Sequence, residues 1–253
     1  MSVRVLCFAH AGAGVSAFQR WPRLLGPDVE ITPVLLPGRD GRRREPRLTS
    51  PGALLADLLR VVEPVARSGQ PYLVYGHSLG GLLSCALVCS LHAQQLPLPV
   101  LLAVGALPPP GGPLALDNCA DLPDAALLRL LDTFGSVPPG TEPGDLWHRS
   151  VLPVLRDDFR LADALRAEAR AQGVPYGGPL PVPVLAVAGR DDPLAPPGVM
   201  AGWARWTTGP FALRTVPGGH FFVRGRELPR LVGRAARVVA RTAAPAGAPA
   251  AGR

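Results

Sequence analysis

The chain has 253 residues, a formal net charge of +7 and 47% apolar residues, enough for one large domain with a buried core. No apolar run reaches the ~18 residues of a membrane span, and Met1–Arg4 leads into a strand-like run without a signal-peptide pattern, so a cytoplasmic protein is expected. Cys7, Cys85, Cys89 and Cys119 do not make a disulfide framework or a metal set, and the locally basic stretch Arg39–Arg47, in a chain whose basic residues are all arginine, has no aromatic residue to serve as the stacking platform of a single-strand nucleic-acid binder.

Apolar runs alternate with helical patterns. Val3–Ala9 reads as a buried strand, followed by a glycine-rich turn and a helix over Val15–Leu25. Val29–Leu36 reads as a second strand and Pro51–Arg67 as an amphipathic helix. Tyr72–Tyr75 is a short strand entering a glycine-rich turn, with a helix from Gly81 to His92. Val100–Gly105 is the next strand, stopped by three prolines. This alternation predicts an α/β fold: a mostly parallel sheet flanked by helices.

The pattern then breaks. Leu-rich helical stretches at Asp124–Phe134 and Leu152–Ala171 lie within an insertion spanning about 112–180, which predicts a helical lid. The sheet resumes at Val182–Ala188, followed by a helix near Val199–Trp206, a strand at Phe211–Val216 and a last helix from Arg226. Residues 1–242 are expected to form a single domain. The Ala- and Pro-rich stretch 243–253 reads as a disordered tail.

Gly76-His77-Ser78-Leu79-Gly80 follows a strand and precedes a helix, the setting in which G-x-S-x-G exposes a nucleophilic serine on a strained turn. A serine hydroxyl needs a base. Of the histidines after Ser78, His92 falls in the helix behind it and His148 in the lid. His220 follows a strand in a tight Pro-Gly-Gly loop and is the candidate base. The orienting acid is expected after the Val184–Ala188 run, where Asp191 and Asp192 are adjacent. Asp192, held by Pro193, is favoured, with Asp191 as the alternative. Backbone N–H groups of Leu79 and Ala11 are the expected oxyanion donors.

The loop holding Ala11 also supports a rival reading. Gly12-Ala13-Gly14-Val15-Ser16-Ala17 matches a dinucleotide fingerprint, but the second strand ends Val34-Leu35-Leu36-Pro37-Gly38, without the acid that would bind a ribose. A small-molecule carboxylesterase or lipase with the same triad is the other alternative.

Taken together, several segments resemble a family. They are Cys7-Phe8-Ala9-His10-Ala11-Gly12, Leu36-Pro37-Gly38-Arg39, Gly76–Gly81, Leu155-Arg156-Asp157-Asp158-Phe159, Gly189–Pro193, Thr208–Phe211 and Pro217–Phe222. In this order they look like a type II thioesterase, the discrete editing hydrolase of polyketide and nonribosomal peptide synthases, in the α/β-hydrolase superfamily. The resemblance implies hydrolysis of acyl thioesters from the phosphopantetheine arm of acyl or peptidyl carrier proteins. It supports Ser78, Asp192 and His220 as the triad and requires no metal or bound cofactor, since phosphopantetheine belongs to the carrier. Trp147, Phe159 and Leu161 are candidate acyl-channel residues. Arg39, Arg42, Arg43 and Arg44, in a locally basic loop, are candidate contacts for an acidic carrier. A monomer is expected.

Overall fold

The structure is a computed structural model and describes residues 2–111, 116–138, 140–142, 144–171 and 179–243. Six strands form one parallel sheet: β1 (Val3–Phe8), β2 (Val29–Pro33), β3 (Tyr72–His77), β4 (Leu101–Gly105), β5 (Val184–Gly189) and β6 (Phe211–Val216), in the order β2-β1-β3-β4-β5-β6. The central strands are buried on both faces, which is why they read as continuous apolar runs rather than as alternating ones. The chain starts near the middle of the sheet, adds β2 on one side and then crosses to β3 on the other. A crevice therefore opens at the carboxyl ends of β1 and β3, where the strand order reverses.

Helices α1 (Pro51–Ala66) and α2 (Leu79–Ala93) cover one face, with Leu54, Leu58, Val62, Leu83 and Leu87 packed on it. The C-terminal helix (Glu227–Ala243) covers the other. Its Leu228, Val232 and Ala236 lie four residues apart on one stripe and pack with Phe18, Trp21 and Phe222. Between β4 and β5, α3 (Asp124–Asp132) and α4 (Leu146–Ala171) form a lid with a small apolar core of its own, including Leu127, Leu131, Leu152, Leu155 and Phe159. After β5 comes a single turn, α5 (Pro197–Met200); the C-terminal helix is α6.

The sheet and lid agree with the sequence reading, and three local expectations are corrected. The helix expected over Val15–Leu25 is two 3-10 turns, Val15–Phe18 and Trp21–Arg23. Pro22 has no N–H for the Phe18 carbonyl, and Phe18 and Trp21 are both driven into the core. The second strand stops at Pro33, where Val34 donates its N–H to the Cys7 carbonyl (2.9 Å) before the chain leaves the sheet. The helix near Val199–Trp206 is α5 followed by a 3-10 stretch, Ala201–Trp206. The expected tail beyond Ala243 lies outside the described residues, as does part of the expected lid. Among the described residues no helix is long and apolar enough to cross a membrane.

Candidate active site

Ser78 sits between β3 and α2 with φ 53° and ψ −118°, a backbone region that L residues rarely occupy. The surrounding packing enforces it. A Cβ on Gly76 would stand 2.0 Å from the Gly80 carbonyl oxygen, and one on Gly80 would stand 2.1 Å from that of Phe8. Only glycine lets strand, turn and helix approach this closely. The hydroxyl is thereby lifted to the carboxyl edge of the sheet.

Two later strands deliver its partners. His220, after β6, has Nε2 3.1 Å from Ser78 Oγ. Its Nδ1 lies 3.1 and 3.2 Å from the carboxylate oxygens of Asp192, in the loop after β5. Asp192 is buried and fixed by the N–H groups of Leu194 (2.9 Å) and Ala195 (3.2 Å), whereas Asp191 is exposed. The structure thus brings Asp192, and not Asp191, to the imidazole. Among the described residues no acceptor takes the N–H of Leu79 or of Ala11. The Leu79 amide belongs to the first turn of α2, whose donors have no partner within the helix.

The loop after β1 is held from the lid. Gly12 N–H donates to Asp158 Oδ2 (2.8 Å), and Arg39 grips the same carboxylate through two bonds of 2.5 and 3.0 Å while donating to the Ala13 carbonyl (3.1 Å). Val15 N–H donates to Asp40 (2.9 Å). The amides that would cradle a phosphate in a dinucleotide site are therefore occupied by the chain's own carboxylates. Gly12 adopts φ +73°, and a Cβ there would meet Leu155 of α4 at 2.7 Å.

A cavity of about 490 Å³ runs from Ser78, His220, His10 and Ala11 to an apolar end beneath α3 and α4. Trp147, Val151, Leu155 and Phe159 line it at four-residue steps, a single stripe of α4. Trp147 and Phe159 stand where the sequence reading put them. Leu161 does not: two residues beyond Phe159, it turns to the opposite side of the helix and packs into the sheet core at 2% exposure.

The basic loop is also corrected. Arg39 is committed to Asp158, while Arg42 bonds Asp57 (2.6 and 2.9 Å) and Glu45 (2.5 and 2.8 Å). The Arg42 hydrogen bond holds the Asp57 carboxyl below its usual range. Arg39 and Arg42 therefore brace the fold, because α1 and α4 supply carboxylates far from them in sequence. Arg43 and Arg44 are exposed.

Two histidines escaped the sequence reading. His77 is wholly buried; Tyr75 O–H lies 2.8 Å from its Nδ1, and its Nε2 lies 2.8 Å from the His220 carbonyl oxygen. With Nε2–H donating to that carbonyl and Nδ1 accepting from the tyrosine, the neutral ring braces the loop that carries His220. Burial depresses its pKa well below the usual value, with the charges of His220 and His10 adding to the effect. His10 Nδ1 is buried without a partner among the described residues, and its pKa is pushed down to about 3, first by burial and then by Arg224 and His220.

Unfolded histidine takes up a proton near ~6.5 that these folded rings refuse. Stability is therefore complete above that pH and falls as pH drops below it. Each histidine is expected to cost about 2 kcal/mol between pH 7 and pH 5. Urea unfolding across that range checks this, and His77→Gln is expected to flatten the dependence by one proton's worth. An unchanged slope would count against it.

A parallel sheet with a serine on a strand-to-helix elbow, an imidazole and a carboxylate from two later strands, and a helical lid defines a serine hydrolase of the α/β-hydrolase class. Residues 3–237 match the thioesterase-domain family, and the chain belongs to that family. It is 34% identical over 223 residues to Thioesterase PikA5 of Streptomyces venezuelae, covering 88% of this chain and 76% of that protein. It is also similar to the solved RedJ thioesterase from the prodiginine biosynthetic pathway of Streptomyces coelicolor, with a TM-score of 0.80, 32% identity, and 92% and 85% of the two chains covered. The type II thioesterase BorB from the borrelidin biosynthetic cluster aligns with a TM-score of 0.71 at 27% identity, covering 94% and 92%.

Proposed function

We propose that this type II thioesterase hydrolyses acyl groups from the phosphopantetheine arms of acyl or peptidyl carrier proteins, clearing stalled or aberrant chains during polyketide or nonribosomal peptide assembly. It acts as a monomer in the cytoplasm. The observation that carries the reading is the hydrogen-bonded line Ser78–His220–Asp192 opening into a cavity whose far end is apolar.

In the proposed mechanism, His220 Nε2 accepts the Ser78 proton as Oγ attacks the thioester carbonyl. The Ala11 and Leu79 amides bind the oxyanion, and Asp192 steadies the imidazolium. Collapse expels the pantetheine sulfur, which takes the proton from His220. A thiol of pKa ~8.5 leaves far more readily than an alcohol. His220 then takes a proton from a water that attacks the acyl-serine, and returns it to Ser78 Oγ as the acyl–oxygen bond breaks and the carboxylic acid is released. Trp147 and Phe159 contact the acyl chain, and α3 and α4 exclude bulk water while it reacts.

Hydrolysis of an acyl-carrier protein compared with a nitrophenyl ester of the same acyl group tests the reading. Faster release from the carrier, as kcat/KM, is expected. Turnover of the small ester alone would make the protein a general carboxylesterase.

A further inference from the structure

A second cavity, of about 580 Å³, opens beside the first and shares Gln19, Arg20, Arg224 and Gly225 with it. Arg23, Leu24 and Arg226 complete its wall. Its four arginines are all exposed, and among the described residues none has an ion-pair partner. The nearest acid in sequence, Glu227, is already paired with Arg230 at 3.5 Å. The contrast with the loop after β2 is sharp: there Arg39, Arg42 and Arg47 are each held by a carboxylate. Four uncompensated guanidiniums around one concavity repel one another unless an anion joins them.

The groove also reaches the chemistry. The Arg224 guanidinium carbon stands 4.5 Å from the centre of the Phe221 ring, and that ring lies 5.2 Å from the imidazole of His220. One aromatic ring thus separates the basic wall from the imidazole beside Ser78. Arg20 and Arg224 line both cavities, so a chain leaving Ser78 along this route runs past them. Guanidinium forks match the oxygens of a phosphate group in charge and spacing.

We propose that this groove binds the phosphate of the phosphopantetheine arm, and so guides a carrier-borne thioester to Ser78. The proposal rests on the thioesterase function argued above and names the part of the substrate recognised outside the acyl cavity. A compact anion suits a concavity continuous with the reaction cavity, whereas the acidic face of a carrier would need a broad exposed surface. Arg23 and Arg226, which line the groove but not the acyl cavity, give the clean test.

The experiment compares hydrolysis of one acyl group presented as acyl-phosphopantetheine and as acyl-pantetheine, which lacks the phosphate. Wild type is expected to prefer the phosphorylated thioester by about tenfold or more in kcat/KM, mostly through KM, as loss of charged hydrogen bonds would predict. The double variant Arg23→Gln/Arg226→Gln is expected to bring the two substrates within about twofold of each other, and added salt to shrink the wild-type preference. No preference in wild type, or an undiminished one in the variant, overturns the proposal. So does a loss confined to the intact acyl-carrier protein, which would assign the groove to the carrier's surface. If wild type hydrolyses neither of these thioesters nor the acyl-carrier protein, the thioesterase reading falls as well; if it hydrolyses the acyl-carrier protein alone, only the groove proposal is overturned.

Discussion

Ser78→Ala is expected to lower kcat on an acyl thioester by about four orders of magnitude or more, with the fold intact. The substitution removes Oγ, the atom 3.1 Å from His220 Nε2, and leaves no other hydroxyl in its place. The proposed oxyanion amides of Leu79 and Ala11 are untouched by the substitution, so a residual rate from them and from substrate positioning is expected to persist. The fold should survive because the elbow is held by its backbone: Ser78 N–H donates to the Gly105 carbonyl (2.8 Å), and its own carbonyl accepts from Gly81 (2.8 Å). The same geometry makes a second variant informative. At φ 53° and ψ −118° a side chain costs ~1–3 kcal/mol of backbone strain. Glycine relieves it but adds ~0.4–1 kcal/mol of unfolded-state entropy. Ser78→Gly should therefore be as inactive as Ser78→Ala yet more stable than wild type, by about 1 kcal/mol. Single-turnover acyl release with urea unfolding measures both. An alanine variant retaining a few per cent of the rate would remove Ser78 as nucleophile.

What could be read from the sequence depended on how far apart the interacting residues lie along the chain. The central strands were legible because a doubly covered parallel sheet demands unbroken apolar runs, such as those of β4 and β5. The elbow was legible because its constraint is local: strand, glycine, serine, glycine and helix sit within a few residues. The first helix was misjudged because its apolar spacing suits a helix, while Pro22 removes a donor. Leu161 was misassigned because apolar character does not reveal helical phase; the four-residue steps from Trp147 to Phe159 carry that signal and exclude it. Arg39 and Arg42 read as a free basic loop because their partners, Asp158 and Asp57, are 119 and 15 residues away. His77 looked like the variable residue of G-x-S-x-G, and its brace to His220 spans 143 residues.

The second large effect is expected at Asp158, whose side chain is 4% exposed and ties lid, loop and Arg39 together. Asp158→Ala leaves the 11%-exposed Arg39 guanidinium without its carboxylate and Gly12 N–H without an acceptor. Removing one member of a buried ion pair costs about 3–5 kcal/mol, largely because the other charge stays behind. Stability alone would not separate a brace from a positioning residue. The discriminating variant is Arg39→Met/Asp158→Leu, which removes both charges and is expected to recover most of the lost stability. It does not restore an acceptor for Gly12, whose neighbour Ala11 supplies the proposed oxyanion amide. With that amide free to shift, kcat in the double variant should stay about ten- to a hundredfold below wild type, with a smaller change in KM. Urea unfolding and steady-state kinetics on the two variants give the comparison. If kcat recovers together with stability, Asp158 serves only to hold the lid down. If stability recovers and kcat does not, the lid sets the geometry of the oxyanion site through one carboxylate, and the catalytic loop is complete only while α4 is docked upon it.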